Sequence, residues 1–88
     1  MVSIVLSTYN RARTIKEAVD SILRQTYTDF ELIIVDDGST DDTLRLLHSY
    51  EDARIRLFPF RENQYYCIAA NFGIRQARGE YVAFATSD

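Results

Sequence analysis

The stretch Phe30-Glu31-Leu32-Ile33-Ile34-Val35-Asp36-Asp37-Gly38-Ser39-Thr40-Asp41-Asp42 holds a strand, a turn and a helix start in immediate succession. Phe30–Val35 is an apolar, β-branched run of strand length. It stops at Asp36-Asp37-Gly38-Ser39, where a glycine and short polar side chains signal a turn. Ser39-Thr40-Asp41-Asp42 then reads as a helix N-terminus, with Leu44, Leu47 and Tyr50 on one face behind it and Leu46 alongside.

The same alternation extends in both directions. Upstream, Val2–Leu6 is a short apolar run broken by one serine, in the manner of a strand buried on both faces. Thr14-Ile15-Lys16-Glu17 reads as a capping box, Thr14 as N-cap and Glu17 reaching back to it. Ile15, Ala18, Val19, Ile22 and Leu23 follow at the spacing of a helix with one buried face, fading near Gln25–Tyr27. Downstream, Ile55–Phe58 is a third strand closed by Pro59, and Asn63–Tyr66 is a polar and aromatic loop. A third helix over about Cys67–Arg78 is expected to bury Ala70, Ile74 and Ala77, with Gly79 as its left-handed stop. Tyr81–Ala85 is a fourth strand. The order βαβαβαβ predicts an α/β fold: an open, mostly parallel sheet of about four strands, helices on both faces, with right-handed crossovers.

Composition narrows the function classes. The 88 residues, 47% hydrophobic and 26% charged, suit one compact globular domain. A net charge of −3, with the arginines interspersed among acids, argues against nucleic acid as the main partner. The single cysteine, Cys67, permits no intrachain disulfide and suggests a reducing, cytoplasmic setting; it reads as a small buried residue. The one histidine leaves no His/Cys zinc constellation. No apolar run has spanning length, and the N-terminus lacks a signal-peptide pattern.

In open parallel sheets, ligands bind beyond the carboxyl ends of the strands, where strand order reverses. Three polar clusters fall at such ends: Ser7-Thr8-Tyr9-Asn10, Asp36-Asp37-Gly38-Ser39 and Thr86-Ser87-Asp88. The first contains no glycine, so there is no dinucleotide fingerprint after the first strand, and no phosphate-loop motif occurs elsewhere. A nucleotide here would be held by side chains and a metal more than by a glycine cradle.

The run Val2-Ser3-Ile4-Val5-Leu6-Ser7-Thr8-Tyr9-Asn10-Arg11 resembles the opening strand of the family 2 glycosyltransferases of the GT-A fold. The likeness continues through Ser21–Tyr27, Phe30–Asp41, Glu62-Asn63-Gln64, Asn71-Phe72-Gly73-Ile74 and Ala77–Phe84, and so covers essentially the whole chain. Each stretch alone is short, and their occurrence in the right order makes the likeness specific. The resemblance implies the N-terminal, nucleotide-sugar-binding half of an inverting enzyme, apparently truncated at the metal-binding motif, with a UDP-sugar as donor. The acceptor, whether carbohydrate, lipid or protein, stays unspecified. Tyr9 would stack on the base, Ser7 and Thr8 would meet its edge, and Asp37 would read the uracil imide or the ribose. Asp36 is expected as its neighbour, capping the turn and the following helix. Asp88 falls where the family's D-x-D signature ends and would hold Mg²⁺ or Mn²⁺ against the diphosphate. Thr86 stands where the first acid is expected.

Two further departures matter. Ala70 stands where many relatives have an arginine, which makes Arg13 the substitute candidate for a diphosphate contact. Tyr65 stands where a glycine is expected, and it reads with Tyr66 as loop packing. The family's general base lies beyond the metal motif, so no catalytic residue is nominated up to Asp88, and these residues alone are expected to transfer nothing. An open outer edge on the fourth strand predicts self-association. A receiver-type signalling domain would need carboxylates after the first and third strands, where Ser7-Thr8-Tyr9 and Phe58-Pro59-Phe60 stand instead. A non-catalytic nucleotide-binding or scaffold domain of the same fold remains the alternative.

Overall fold

The computed structural model describes residues 1–87, so Asp88 lies outside the described residues. The elements run β1 (Val2–Thr8), α1 (Ile15–Arg24), β2 (Phe30–Asp36), α2 (Thr43–His48), β3 (Ile55–Pro59), α3 (Tyr66–Gln76) and β4 (Tyr81–Ala85). All strand pairs are parallel, in the order β3-β2-β1-β4. The expected α/β sheet is present, with each strand within a residue or two of its sequence reading.

Strand order explains the placement of helices. From β1 the chain steps outward to β2 and then β3, and α1 and α2 pack together on one face. Leu6, Leu32 and Ile34 meet Ile15 and Val19 of α1 and Leu47 of α2 there. The return from β3 to β4 runs the other way across the sheet. A constant crossover hand then demands the opposite face for α3, and Ala69 of α3 packs with Ile33 and Val35 there. β2, with a neighbour on each side and helices above and below, is buried along its whole length. Fully burying each such Leu, Ile or Val side chain contributes about 1.5–3 kcal/mol, so β2 is the main apolar anchor of the fold.

Several local readings are corrected by tertiary contacts. Thr14 occupies the N-cap position of α1, but its side chain makes no cap bond. Its hydroxyl donates instead to the Ser87 carbonyl at 2.5 Å, tying the end of β4 to the start of α1. α2 begins only at Thr43, because the residues before it serve other partners. Ser39 donates to Asp36, and Asp41 accepts from the Thr43 amide and hydroxyl at 2.9 and 2.6 Å. α3 buries Ala69, Ala70 and Gly73, whereas Ile74 is exposed. The helix lies so close to β1 that a Cβ on Gly73 would fall 2.5 Å from Val5 Cγ1, which selects the small-residue face. Cys67, expected inside, is exposed near the start of α3.

Gly79 is not in the left-handed region, and α3 ends through an extended Ala77. The glycine answers a close approach instead. Its amide donates to Ser3 Oγ at 2.8 Å, and a Cβ would meet the Met1 carbonyl oxygen at 2.6 Å. The same corner holds a buried charge. Glu31 accepts from Ser3 Oγ (2.5 Å), the Arg78 amide (2.7 Å) and Arg56 Nη1 (2.8 Å), while Arg56 also reaches the Gln76 carbonyl. None of the described helices is long and apolar enough to cross a membrane.

Candidate functional site

β4 pairs with β1 on the side away from β2, so strand order reverses between them, and the polar clusters ending β1, β2 and β4 meet on one rim. A cavity of about 380 Å³ opens there. Its walls are Ser7 and Thr8 at the end of β1, Tyr9 and Arg11 after it, Asp37 after β2, Asn63, Tyr65 and Tyr66 before and at the start of α3, and Phe84–Ser87 at and after the end of β4.

The loops that shape this cavity are cross-stitched. Asn10 takes a left-handed φ of 51°, a conformation asparagine tolerates. Its amide donates to Ser39 Oγ at 2.9 Å, and its Oδ1 accepts the Thr40 amide at 2.8 Å. The Arg11 amide donates to Thr43 Oγ1 at 2.8 Å. Asn10 therefore holds the β1 loop against the β2 loop, which leaves the neighbouring Tyr9 ring free at the cavity. Gly38 is required at the next turn. Its φ is 75°, and a Cβ would lie 2.4 Å from the backbone nitrogen of Asn63.

The two acids after β2 have separate fates. Asp36 is 1% exposed, and both its oxygens face Ser39, accepting its hydroxyl at 2.5 Å and its amide at 3.2 Å. Burial pushes its carboxyl above the ordinary value; the Ser39 bonds oppose this, while the Asp41 and Asp37 charges add to it. Asp36 braces the turn, as expected, but it does not cap α2, whose N-cap is Asp42, and it does not line the cavity. Asp37 does line it. Its amide donates to the Thr8 carbonyl at 2.8 Å and its Oδ1 accepts the Gln64 amide at 2.6 Å. Oδ2 has no partner among the described residues.

Of the residues singled out in the sequence, Ser7, Thr8, Tyr9 and Asp37 come together, whereas Asp36 and Arg13 stay outside the lining. Arg13 is carried away because the chain turns at Asn10 and Arg11–Thr14 leads into α1. Among the described residues, the cation lining the cavity is Arg11, two residues earlier. Sequence reasoning also passed over Asn63 and Phe84 as lining residues, although both lie in quoted motifs. Tyr65 and Tyr66 are not packed in their loop: they are 76% and 63% exposed and line the cavity. Tyr65 holds φ 73°, ψ 163°, a region close to glycine-only that costs a non-glycine residue about 1–3 kcal/mol.

Two buried polar atoms of the lining, Thr8 Oγ1 and Asn63 Oδ1, have no hydrogen-bond partner among the described residues. Such atoms are rare in folded chains and mark places where a ligand or water completes the set. For a divalent ion the described residues are insufficient alone. They contain no group of three or more acidic, histidine or cysteine side chains placed to hold a metal ion, and Asp37 is the one carboxylate among the described lining residues.

Comparison with known proteins shows that the family model described as glycosyl transferase family 2 matches residues 3–88. An uncharacterized glycosyltransferase of Rickettsia felis is 44% identical over 88 residues, which span 99% of this chain and 14% of that protein. TarS 1-349 of S. aureus, solved in complex with UDP-GlcNAc, superposes with a TM-score of 0.92 at 32% identity, covering 99% of this chain and 26% of that one. The mannosyltransferase PcManGT of Pyrobaculum calidifontis, in complex with GDP-Man and Mn²⁺, superposes at 0.80 with 33% identity, covering 92% and 25%. The chain thus spans about a seventh to a third of the length of the curated relatives it matches.

Proposed function

The chain belongs to glycosyl transferase family 2, and on that premise we propose that it forms the donor site of a metal-dependent, inverting glycosyltransferase that uses a UDP-sugar. The observation that carries this reading is the cavity at the strand-order reversal, where Thr8, Tyr9 and Asp37 converge beside two unpartnered polar atoms. The base stacks on Tyr9, an aromatic face at the mouth. Asp37 Oδ2 accepts the imide N–H of the base, since an ionised carboxylate is acceptor-only and Oδ1 is already used by Gln64. Ser7, Thr8 and Asn63 complete the polar edge. Arg11 approaches the diphosphate as its counter-charge, the part first assigned to Arg13.

The metal in this reading relies on its substrate more than on the described residues. Mg²⁺ and Mn²⁺ are commonly held by one or two carboxylates together with phosphate oxygens and waters, so Asp88 would serve as the protein ligand. Bound there, the ion would neutralise the charge that develops on the leaving diphosphate. The general base for the acceptor hydroxyl lies beyond Asp88 in this reading, and the acceptor is left open. The single cysteine fits cytoplasmic work. β4, an uncovered edge strand, supports self-association as a further property.

Calorimetric titration of UDP with Mn²⁺, and again with EDTA, tests the assignment. Asp37→Ala should weaken binding about ten-fold or more, as loss of a charged hydrogen bond does, and both EDTA and Asp88→Ala should weaken it. Unchanged UDP affinity in Asp37→Ala would remove the base-reading role, and absence of UDP binding in every condition would remove the donor site.

A further inference from the structure

Tyr65 combines three features that packing does not explain. Its backbone lies at φ 73°, ψ 163°, where glycine is at ease and tyrosine is not. Its side chain is 76% exposed, so the strain is not repaid by burial in the core. It also forms part of the wall of the cavity that contains Thr8, Tyr9, Asp37 and Asn63. Strain of this kind persists where the surrounding structure dictates the backbone, and it concentrates at ligand clamps.

The backbone here is dictated from both sides. The Gln64 amide is bound to Asp37 Oδ1 at 2.6 Å, and the Glu62–Asn63 backbone is in van der Waals reach of Gly38. Tyr65 follows directly in the chain and lines the same cavity as Asp37 and Asn63, whose polar atoms face a ligand there. It is also the N-cap residue of α3, and its carbonyl accepts the Ala69 amide at 3.1 Å, so the ring is mounted on a fixed helix start. A ligand that uses Asp37 as an acceptor must present a planar donor edge there, and its two faces are left for stacking.

We infer that Tyr65 is a second stacking wall for the nucleobase, closing on the face opposite Tyr9. This inference rests on the nucleotide-sugar reading above and deepens it: the clamp requires a planar aromatic base and makes the base, rather than the sugar, the main anchor of the donor. The ring acts without hydrogen-bond readout, so it adds affinity while Asp37 and Asn63 select the base.

Titrations of uridine, UMP, UDP and UDP-GlcNAc into this chain and its Tyr65→Gly and Tyr65→Phe variants, beside thermal melts, decide it. The glycine variant should melt about 4 °C or more higher, because the strain is relieved. It should nevertheless lose about five-fold to 150-fold in affinity for all four ligands, the range one base–aromatic stack commands. Tyr65→Phe should keep the affinity of the parent. Unchanged binding by Tyr65→Gly overturns the inference, and so does a loss confined to UDP-GlcNAc, which would place the ring on the sugar. If the parent chain binds none of the four ligands, the donor-site reading itself fails and the inference falls with it. The parent's own titration therefore separates the two failures.

Discussion

Thr8, at the scale of one residue, sets a cost in stability against its proposed part in binding. Its Oγ1 is buried and unpartnered among the described residues, and an unsatisfied buried hydroxyl costs about 1–3 kcal/mol. Thr8→Val removes that cost at similar size. We expect the variant to gain about 1 kcal/mol in urea denaturation while losing affinity for UDP. A variant that is less stable would mean that the hydroxyl has a partner in solution that it keeps without ligand. Tyr65 carries the same opposition in its backbone, and Gly38 shows its limit, since there both φ and space exclude any side chain. Asn10 works differently: it binds no ligand in this reading but positions Tyr9 through the Ser39 and Thr40 contacts.

Among the elements, β2 does two jobs at its two ends. Its C-terminal end delivers Asp36 and Asp37 to the rim, one braced by Ser39 and one turned to the cavity. Near its N-terminal end, Glu31 gathers Ser3, Arg56 and the Arg78 amide, and so fastens β1, β3 and the connection after α3 to one point. Burial alone would raise the Glu31 carboxyl; the bonds from Ser3, Arg78 and Arg56 and the Arg56 charge outweigh it, and the group lies below its ordinary value of 4.5. A depressed carboxyl stabilises the fold above its unfolded value and loses that contribution as pH falls through its folded value. Stability should therefore decline on acidification below about pH 4.5, and Glu31→Gln should be less stable at pH 7 and flatter across that acid limb. Urea midpoints measured from pH 7 to pH 3 check this, and parallel curves for the two proteins would refute it.

The whole molecule is asymmetric about its sheet. β1 and β2 are covered on both faces, whereas β4 leaves Tyr81, Val82 and Phe84 at 70%, 41% and 54% exposed on an edge with no charge or proline along Tyr81–Ala85. Unguarded edges of this kind pair with other strands. We expect this chain to associate as concentration rises, and Val82→Lys to keep it monomeric without unfolding it, because position 82 is already solvent-facing. Sedimentation over a concentration series reads both; a parent chain that stays monomeric throughout would show that β4 does not recruit a second copy. The site depends on the same asymmetry, since the cavity exists because β4 returns beside β1 and brings Thr86 and Ser87 to the β1 and β2 loops.

What the amino-acid sequence determined by itself was the succession of elements and the rim on which the chemistry collects. Apolar runs such as Phe30–Val35 and the i, i+3, i+4 spacing of Ile15–Leu23 are local signals, and a parallel arrangement sends every strand end to one side. That Ser7, Thr8, Tyr9 and Asp37 would meet on one rim was legible for that reason. Contacts between distant segments decided the rest. The Thr14 hydroxyl bonds a carbonyl 73 residues away, Gly79 is demanded by Met1 and Ser3, and α3 turns its small residues inward because Val5 leaves no room. Arg11 rather than Arg13 reaches the cavity because the β1 loop is stitched to the β2 loop. Such choices depend on which partner lies within a few ångströms across the fold. Hydrogen-bond competition and close packing settle them, and neither is encoded in neighbouring residues.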